Sequence, residues 1–220
     1  LDSAGNTDIV CDLADDGGLK SCMGDLRPDA VIHLAGIARV DFEQPGEIYR
    51  VNTIGTVNLL QAAVNVTPVP RFLLVSSSQV YGNPDEKDQP VRESCPVLPV
   101  NHYGASKAAA ESAAMAFHNE YSMPLVIARP FNHTGKGQTV NFVIPKIVRA
   151  FRERQGTLEL GNINTVRDFL DVRDVACAYS AIIENFHDGQ IYNIASGEGV
   201  MISDVITMCR QISGYNVEII

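Results

Sequence analysis

The sequence predicts an α/β protein built on a parallel sheet with helices on both faces. Two observations predict it. Short runs that are apolar at almost every position alternate with longer amphipathic runs, as expected of strands covered on both faces and the helices that cover them. Directly after those short runs stand small and polar residues, at the strand ends where parallel α/β sheets bind ligands.

The elements follow in order. Ala30-Val31-Ile32-His33-Leu34-Ala35 is the first strand. Residues 46–65 set Ile48, Val51, Ile54, Val57, Leu60 and Ala63 at spacings of three, which predicts a helix. Arg71 to Ser76 repeats the strand pattern, and Asn83 to Pro99, with four prolines and several charges, reads as an exposed loop. Alanine-rich residues 103–121 form the next helix, and Pro124 to Arg129 the third strand.

After Pro130 the texture changes. Gly135 and Gly137 precede a helix-like stretch from Phe142 to Arg154, then short segments at Leu158–Leu160 and Asp168–Leu170. A helix from about Val172 to Asn185 and a strand at Ile191–Ile194 come next. Ser203 suits a helix N-cap ahead of Asp204 to Ile212, and Gly214 its stop. These textures divide the chain into a first domain at 1–130 and a smaller one at 131–220. The two are interleaved, with the strand near 169–171 and the helix 172–185 returning to the first.

The 220 residues carry a net charge of −9, which excludes general nucleic-acid binding and an anionic membrane surface. Five cysteines without a C-x-x-C pair point to a reducing, cytoplasmic compartment. No apolar run reaches the ~20 residues a membrane span needs. Leu1-Asp2-Ser3-Ala4-Gly5 is neither basic nor followed by an apolar stretch, so no signal peptide is expected. Five histidines show no metal-binding spacing, and no metal is expected; His33 reads as strand-end packing.

The chemistry centres on Tyr103 and Lys107, one helical turn apart. An ammonium beside a phenol lowers its pKa and makes it a usable proton donor. The plain alternative is an exposed helical pair. Ser77, just after a strand, suits a hydrogen bond to a substrate carbonyl; the alternative is that Ser76, Ser77 and Ser78 only cap the strand. Small residues after Val31-Ile32-His33 let the backbone approach a ligand. The amide of Asn132, after another strand, suits a phosphate or sugar. Arg167 and Arg173 suit a diphosphate through the guanidinium fork, or else pair with the adjacent aspartates.

The segments Ser76-Ser77-Ser78-Gln79-Val80-Tyr81-Gly82, Tyr103-Gly104-Ala105-Ser106-Lys107 and Arg129-Pro130-Phe131-Asn132-His133-Thr134-Gly135 resemble, in order and spacing, the extended short-chain dehydrogenase/reductase (NAD-dependent epimerase/dehydratase) family. The likeness runs from about Asp8 to Gly214. It implies a Rossmann-like doubly wound sheet, with a partial dinucleotide-binding domain at 1–130 and a partial substrate-binding domain at 131–220. Ser77, Tyr103 and Lys107 match the family's catalytic residues. Asp12, Leu13, Leu34, Ala35, Gly36, Asn52, Ser76, Tyr103, Lys107, Pro130 and His133 fall at cofactor-binding positions. Ser78, Asn132, Val143 and Arg167 fall at substrate-binding ones.

Within the family the chain is most similar to the GDP-4-keto-6-deoxy-D-mannose reductases. That implies reduction of a 4-keto nucleotide-diphospho-sugar with NADP or NAD, and a homodimer through helices 46–65 and 103–121. Ser78 and Gln79 stand where dehydratases carry an acid and a base, which counts against dehydration. A 4-epimerase with tightly held NAD and a non-catalytic dinucleotide sensor are the alternatives. The family's first strand, glycine loop, helix and second strand have no counterpart in the sequence. The expectation is therefore a longer natural protein, with this stretch alone inactive and binding a dinucleotide poorly.

Overall fold

The structure is a computed structural model and describes residues 9–39 and 42–220. The reading of Leu1–Gly5 lies outside the described residues. The chain divides into two compact units: Leu1–Pro130 with Ala178–Ile194, and Phe131–Cys177 with Ala195–Ile220.

In the first unit, strands β1 (Ala30–His33), β2 (Arg71–Val75) and β3 (Leu125–Pro130) pair in parallel, joined by β7 (Ile191–Ile194) beside β3. Phe72, Leu73, Leu74, Val126, Ile127 and Ala128 are all essentially inaccessible. Both faces of β2 and β3 are therefore covered, which is why their sequences lack polar alternation.

One core gathers Leu19 and Met23 of α1 (Asp16–Leu26), Leu60 and Ala63 of α3 (Gly55–Val64), Phe72 and Leu74 of β2, Ala114 of α4 (His102–Tyr121), and Leu125 and Ile127 of β3. α2 (Pro45–Tyr49) and α3 are one helical run, broken by a π-helical turn at Arg50–Ile54. This run packs against α4, so the two predicted helices are neighbours. α1 was not foreseen. Gly17 and Gly18 hide it, and the Asp15 carboxylate, which accepts from Gly18 N at 2.9 Å, starts it.

In the second unit, β4 (Asn132–Thr134) pairs in parallel with β6 (Val166–Asp171), and β8 (Gly199–Met201) pairs antiparallel with β6. β5 (Thr157–Leu158) pairs with β9 (Glu218–Ile219). α5 (Val143–Arg152) and α7 (Ile202–Ser213) enclose Ile147, Ala150, Phe151, Leu158, Ile202, Ile206 and Val217. α6 (Val172–Glu184) runs across the boundary between the units.

Three expectations are corrected here. Residues 169–171 pair with β4 inside the second unit instead of returning to the first sheet. β7 instead belongs to the first unit, where its backbone continues the parallel ladder of β3. Ser203 does not cap α7; the helix starts directly from β8, with Met201 at the N-cap and no side-chain cap bond. Gly214 does close α7, with φ +62°. No helix among the described residues is long and apolar enough to cross a membrane.

Candidate active site

Ser76 and Ser77 follow the end of β2, Leu34–Gly36 follow the end of β1, and Pro130 ends β3. Parallel pairing puts these ends on one edge of the sheet. α4 is fixed there by Asn101. Its Oδ1 accepts from Gly104 N at 2.8 Å, and its Nδ2 donates to Gln79 Oε1 at 3.1 Å. Gly104 is required for this seating. A Cβ there would stand 3.0 Å from the Gln79 carbonyl carbon and closer still to its oxygen.

Ser77 caps the 3₁₀ turn Ser78–Tyr81, its Oγ accepting from Gln79 N at 3.2 Å. The same hydroxyl acts on the phenol of Tyr103, favouring its charged form. Burial pushes the Tyr103 phenol up from its ordinary value, with Ser77 pulling the other way. This corrects the expected downward shift from Lys107. The Lys107 ammonium is turned to the end of β2, where it donates to the Val75 carbonyl at 2.8 Å. Lys107 is itself buried, and burial pushes it down to about 8, against the pull of Glu111.

Asn52, in the π-helical turn, ties three elements together. Its Oδ1 accepts from Ile37 N at 2.7 Å, and its Nδ2 donates to Ile37 O and to Ser106 Oγ, each at 3.0 Å. Ser106 Oγ donates in turn to Tyr103 O at 2.7 Å. A Cβ on Gly36 would lie 2.9 Å from Asn52 Oδ1 and 3.5 Å from Lys107 Nζ. The loop after β1 therefore meets Asn52 and Lys107 at a residue without a side chain. π-helical turns recur at functional sites for this kind of aiming.

His33 is buried at the base of this network, its Nε2 2.9 Å from Thr56 Oγ1. Thr56 spends its one hydroxyl hydrogen on Asn52 O, at 2.6 Å. It can only accept from His33, so Nε2 carries the proton. Burial, then Lys107, pushes the imidazole down to about 4, and it is neutral. The strand-end histidine is thus an ordered member of the network.

Asp12 and Leu13 sit in the turn ahead of α1. Asp12 Oδ1 accepts from Ala14 N, and Leu13 meets Gly55 at the start of α3. Among the substrate positions, Ser78 opens the 3₁₀ turn in the first unit, while the other three belong to the second. Asn132 lies in β4 and not in a loop, donating to Asp168 O at 3.4 Å. His133 Nδ1 is 3.0 Å from Phe131 O. Val143 begins α5 and packs on that unit's core. Arg167 is exposed and donates to Val166 O. Its neighbour Asp168 instead holds the 196–197 turn, accepting from Ser196 N, Ser196 Oγ and Gly197 N. Arg173 forms the surface ion pair with Asp171.

Thr56, Ser106, Glu111, Arg129 and Tyr179 escaped the sequence reading. Glu111 carried a signal: with Tyr103 and Lys107 it continues an i, i+4, i+8 face. Tyr179 is a second buried phenol facing Tyr103, pushed up to about 12 by burial and then by that neighbour.

Two features suit a bound dinucleotide. Ser76 Oγ is buried without a hydrogen-bond partner among the described residues, at the end of β2. Leu34, directly after β1, is 61% exposed at the strand end, where a ligand can approach.

A family model described as GDP-mannose 4,6 dehydratase matches residues 4–218. The chain is 39% identical over 208 residues to GDP-6-deoxy-D-mannose reductase of Pseudomonas aeruginosa, spanning 90% of this chain and 68% of that protein. It is 34% identical to GDP-6-deoxy-D-talose 4-dehydrogenase of Aggregatibacter actinomycetemcomitans, over 94% of this chain and 70% of that one. Among solved structures, RMD from Pseudomonas aeruginosa complexed with NADPH superposes with a TM-score of 0.89 at 36% identity, covering 97% of this chain and 74% of that one.

Proposed function

The chain belongs to the GDP-mannose 4,6 dehydratase family of extended short-chain dehydrogenase/reductases, and from that premise we propose that it reduces the 4-keto group of a nucleotide-diphospho-6-deoxyhexose, of the GDP-4-keto-6-deoxy-D-mannose type. The observation that carries the reading is the convergence of the Ser77 hydroxyl and the Tyr103 phenol beside the buried Lys107, at the carboxyl edge of the sheet.

When bound, NADP or NAD supplies hydride to the sugar carbon. Gly36, Asn52, Ser76, Lys107 and Pro130 would hold it along the strand ends, with Asp12, Leu13 and His133 as further contacts. Ser77 orients the substrate carbonyl by a hydrogen bond from its hydroxyl. Tyr103 gives its phenolic proton to the forming alkoxide. Its raised pKa keeps that proton in place at neutral pH until the alkoxide, a far stronger base, is there to take it. Lys107 contributes positive charge next to the reacting groups. Asn52, through Ser106, fixes the backbone carbonyl of Tyr103 and so the approach of its ring. Ser78, Asn132, Val143 and Arg167 contact the nucleotide sugar.

Gln79 stands where a dehydratase needs an ionisable group. Its amide oxygen is already taken by Asn101, which supports reduction over dehydration. The protein works as a homodimer through the neighbouring helical runs 46–65 and 103–121, in the cytoplasm, where its five free cysteines stay reduced. The test is oxidation of NADPH and NADH by the gene's full product against a panel of 4-keto sugar nucleotides. Consumption that depends on the 4-keto sugar is expected. Turnover of a 4-hydroxy sugar nucleotide without added cofactor would replace reduction by epimerisation.

A further inference from the structure

Among the described residues, three charged side chains are buried together in the first unit: Lys107, Glu111 and Arg129, at 7%, 6% and 3% exposure. They comprise two cations and one carboxylate. The carboxylate is taken entirely by one cation. Arg129 Nε donates to Glu111 Oε1 at 3.0 Å, and Nη2 donates to Oε2 at 2.6 Å. The rest of the guanidinium is fixed as well. Nη1 donates to Tyr81 OH at 2.8 Å, and the group lies 4.9 Å from the centre of the Tyr81 ring. Tyr81 OH donates onward to Asn193 Oδ1 at 2.7 Å, locking the clamp to β7. Glu111 follows Lys107 by one turn of α4, on the same face. Without Arg129 the carboxylate would be the natural partner of the ammonium.

We propose that Arg129 is a positioning residue for Lys107: by holding both oxygens of Glu111 in a fork, it keeps that carboxylate off the ammonium and leaves Lys107 directed at the Val75 carbonyl and the site. A lysine at position 129 could not do this, because a single ammonium cannot engage both oxygens and the phenol in one plane. Of the other titratable groups, His33 of β1 feels the ammonium and is neutral, and Tyr103 stands one turn earlier on the same helix. The balance of charge around Lys107 is therefore set by the Glu111–Arg129 pair.

The inference rests on Lys107 being the ammonium of the site, but its test reads Lys107 directly. The chain has five lysines, few enough to follow each by the ¹³Cε shift of labelled lysine during a pH titration. Glu111→Gln leaves Arg129 uncompensated and should lower the Lys107 midpoint from about 8. Arg129→Met leaves Glu111 uncompensated and should raise it. The double variant Arg129→Met/Glu111→Gln removes both charges and should place it above Glu111→Gln and below Arg129→Met. A merely structural pair would lower the melting temperature in both single variants without shifting Lys107 in opposite directions. If Arg129→Met does not fold, the comparison of Glu111→Gln with the double variant decides. A midpoint higher in the double variant than in Glu111→Gln supports the clamp; equal midpoints in the two overturn it. Failure of the catalytic reading would appear separately, as full turnover in Lys107→Met.

Discussion

Gly104→Ala tests whether the close seating of α4 on the Ser77 turn makes the site. The substitution has two opposed effects. Alanine favours the helix by up to about 1 kcal/mol over glycine. The new methyl, however, meets the Gln79 carbonyl, with the carbon only 3.0 Å away, and also Pro99 Cβ at 3.2 Å. The main obstacle is backbone and cannot rotate aside. Reaching an ordinary carbon–carbon separation of about 3.5–4.0 Å needs a displacement of roughly 0.5–1 Å between α4 and the turn. Overpacking of this kind costs about 1–3 kcal/mol, more than the helix gains. Tyr103 precedes Gly104, and Ser77 caps the turn on the other side, so the approach of the two side chains lies across the gap that opens. A misplacement of about 1 Å costs on the order of 10²-fold in rate. Urea melts should therefore show a net loss of up to ~2 kcal/mol after the helix gain is subtracted. Steady-state kinetics should show kcat down on the order of 10²-fold with KM less affected. A variant as stable and as fast as wild type would refute the reasoning, because the Gln79 contact would then not constrain the helix.

Three further outcomes follow from the same geometry. Tyr103→Phe keeps the buried ring and loses the proton, so kcat should fall about 10²–10⁴-fold with KM nearly unchanged in steady-state assays. A near-normal kcat would move the proton donor elsewhere, with His133 the next candidate. His33 takes a proton near pH 6.5 when unfolded and only near pH 4 when folded. The unfolded chain then holds more protons within that window, so stability falls as pH drops through it, by up to about 3 kcal/mol, and levels off below. His33→Gln keeps a donor for Thr56 without the titration; urea melts at pH 7 and pH 4.5 should separate wild type from the variant by much of that amount, and equal losses would sink the neutral His33. Light scattering of the gene's full product at micromolar concentration should give twice the chain mass; a monomer alone would remove the dimer.

The parts of this molecule that depend on local pattern were legible in the sequence. β2 and β3 are apolar because both their faces are covered, and that pattern survives in a single chain. The spacing of Tyr103 and Lys107 put them one turn apart on a helix, as they are in α4. The rest is set by contacts between residues far apart. Asn52 reaches Ser106, and His33 reaches Thr56, across stretches that no periodicity links. The direction of the Tyr103 shift depends on how deeply the helix is buried, which an i, i+4 pair does not reveal. α1 was hidden by Gly17 and Gly18, because propensity argues against a helix that capping and packing on α3 sustain. β4 and β8 have three residues each, too few for an alternation to be read. Ser203 had the right chemistry for a cap, but the strand before it already fixed where α7 begins.

The central claim is that hydride reaches carbon 4 of a sugar nucleotide while Tyr103 supplies the proton. The direct measurement uses NADPH deuterated at the transferable nicotinamide position, with the gene's full product and a GDP-4-keto-6-deoxyhexose, and reads the product by NMR. The account predicts one deuterium at carbon 4, formed at a rate that Tyr103→Phe suppresses. A product carrying no deuterium, or carrying it at another carbon, would contradict it.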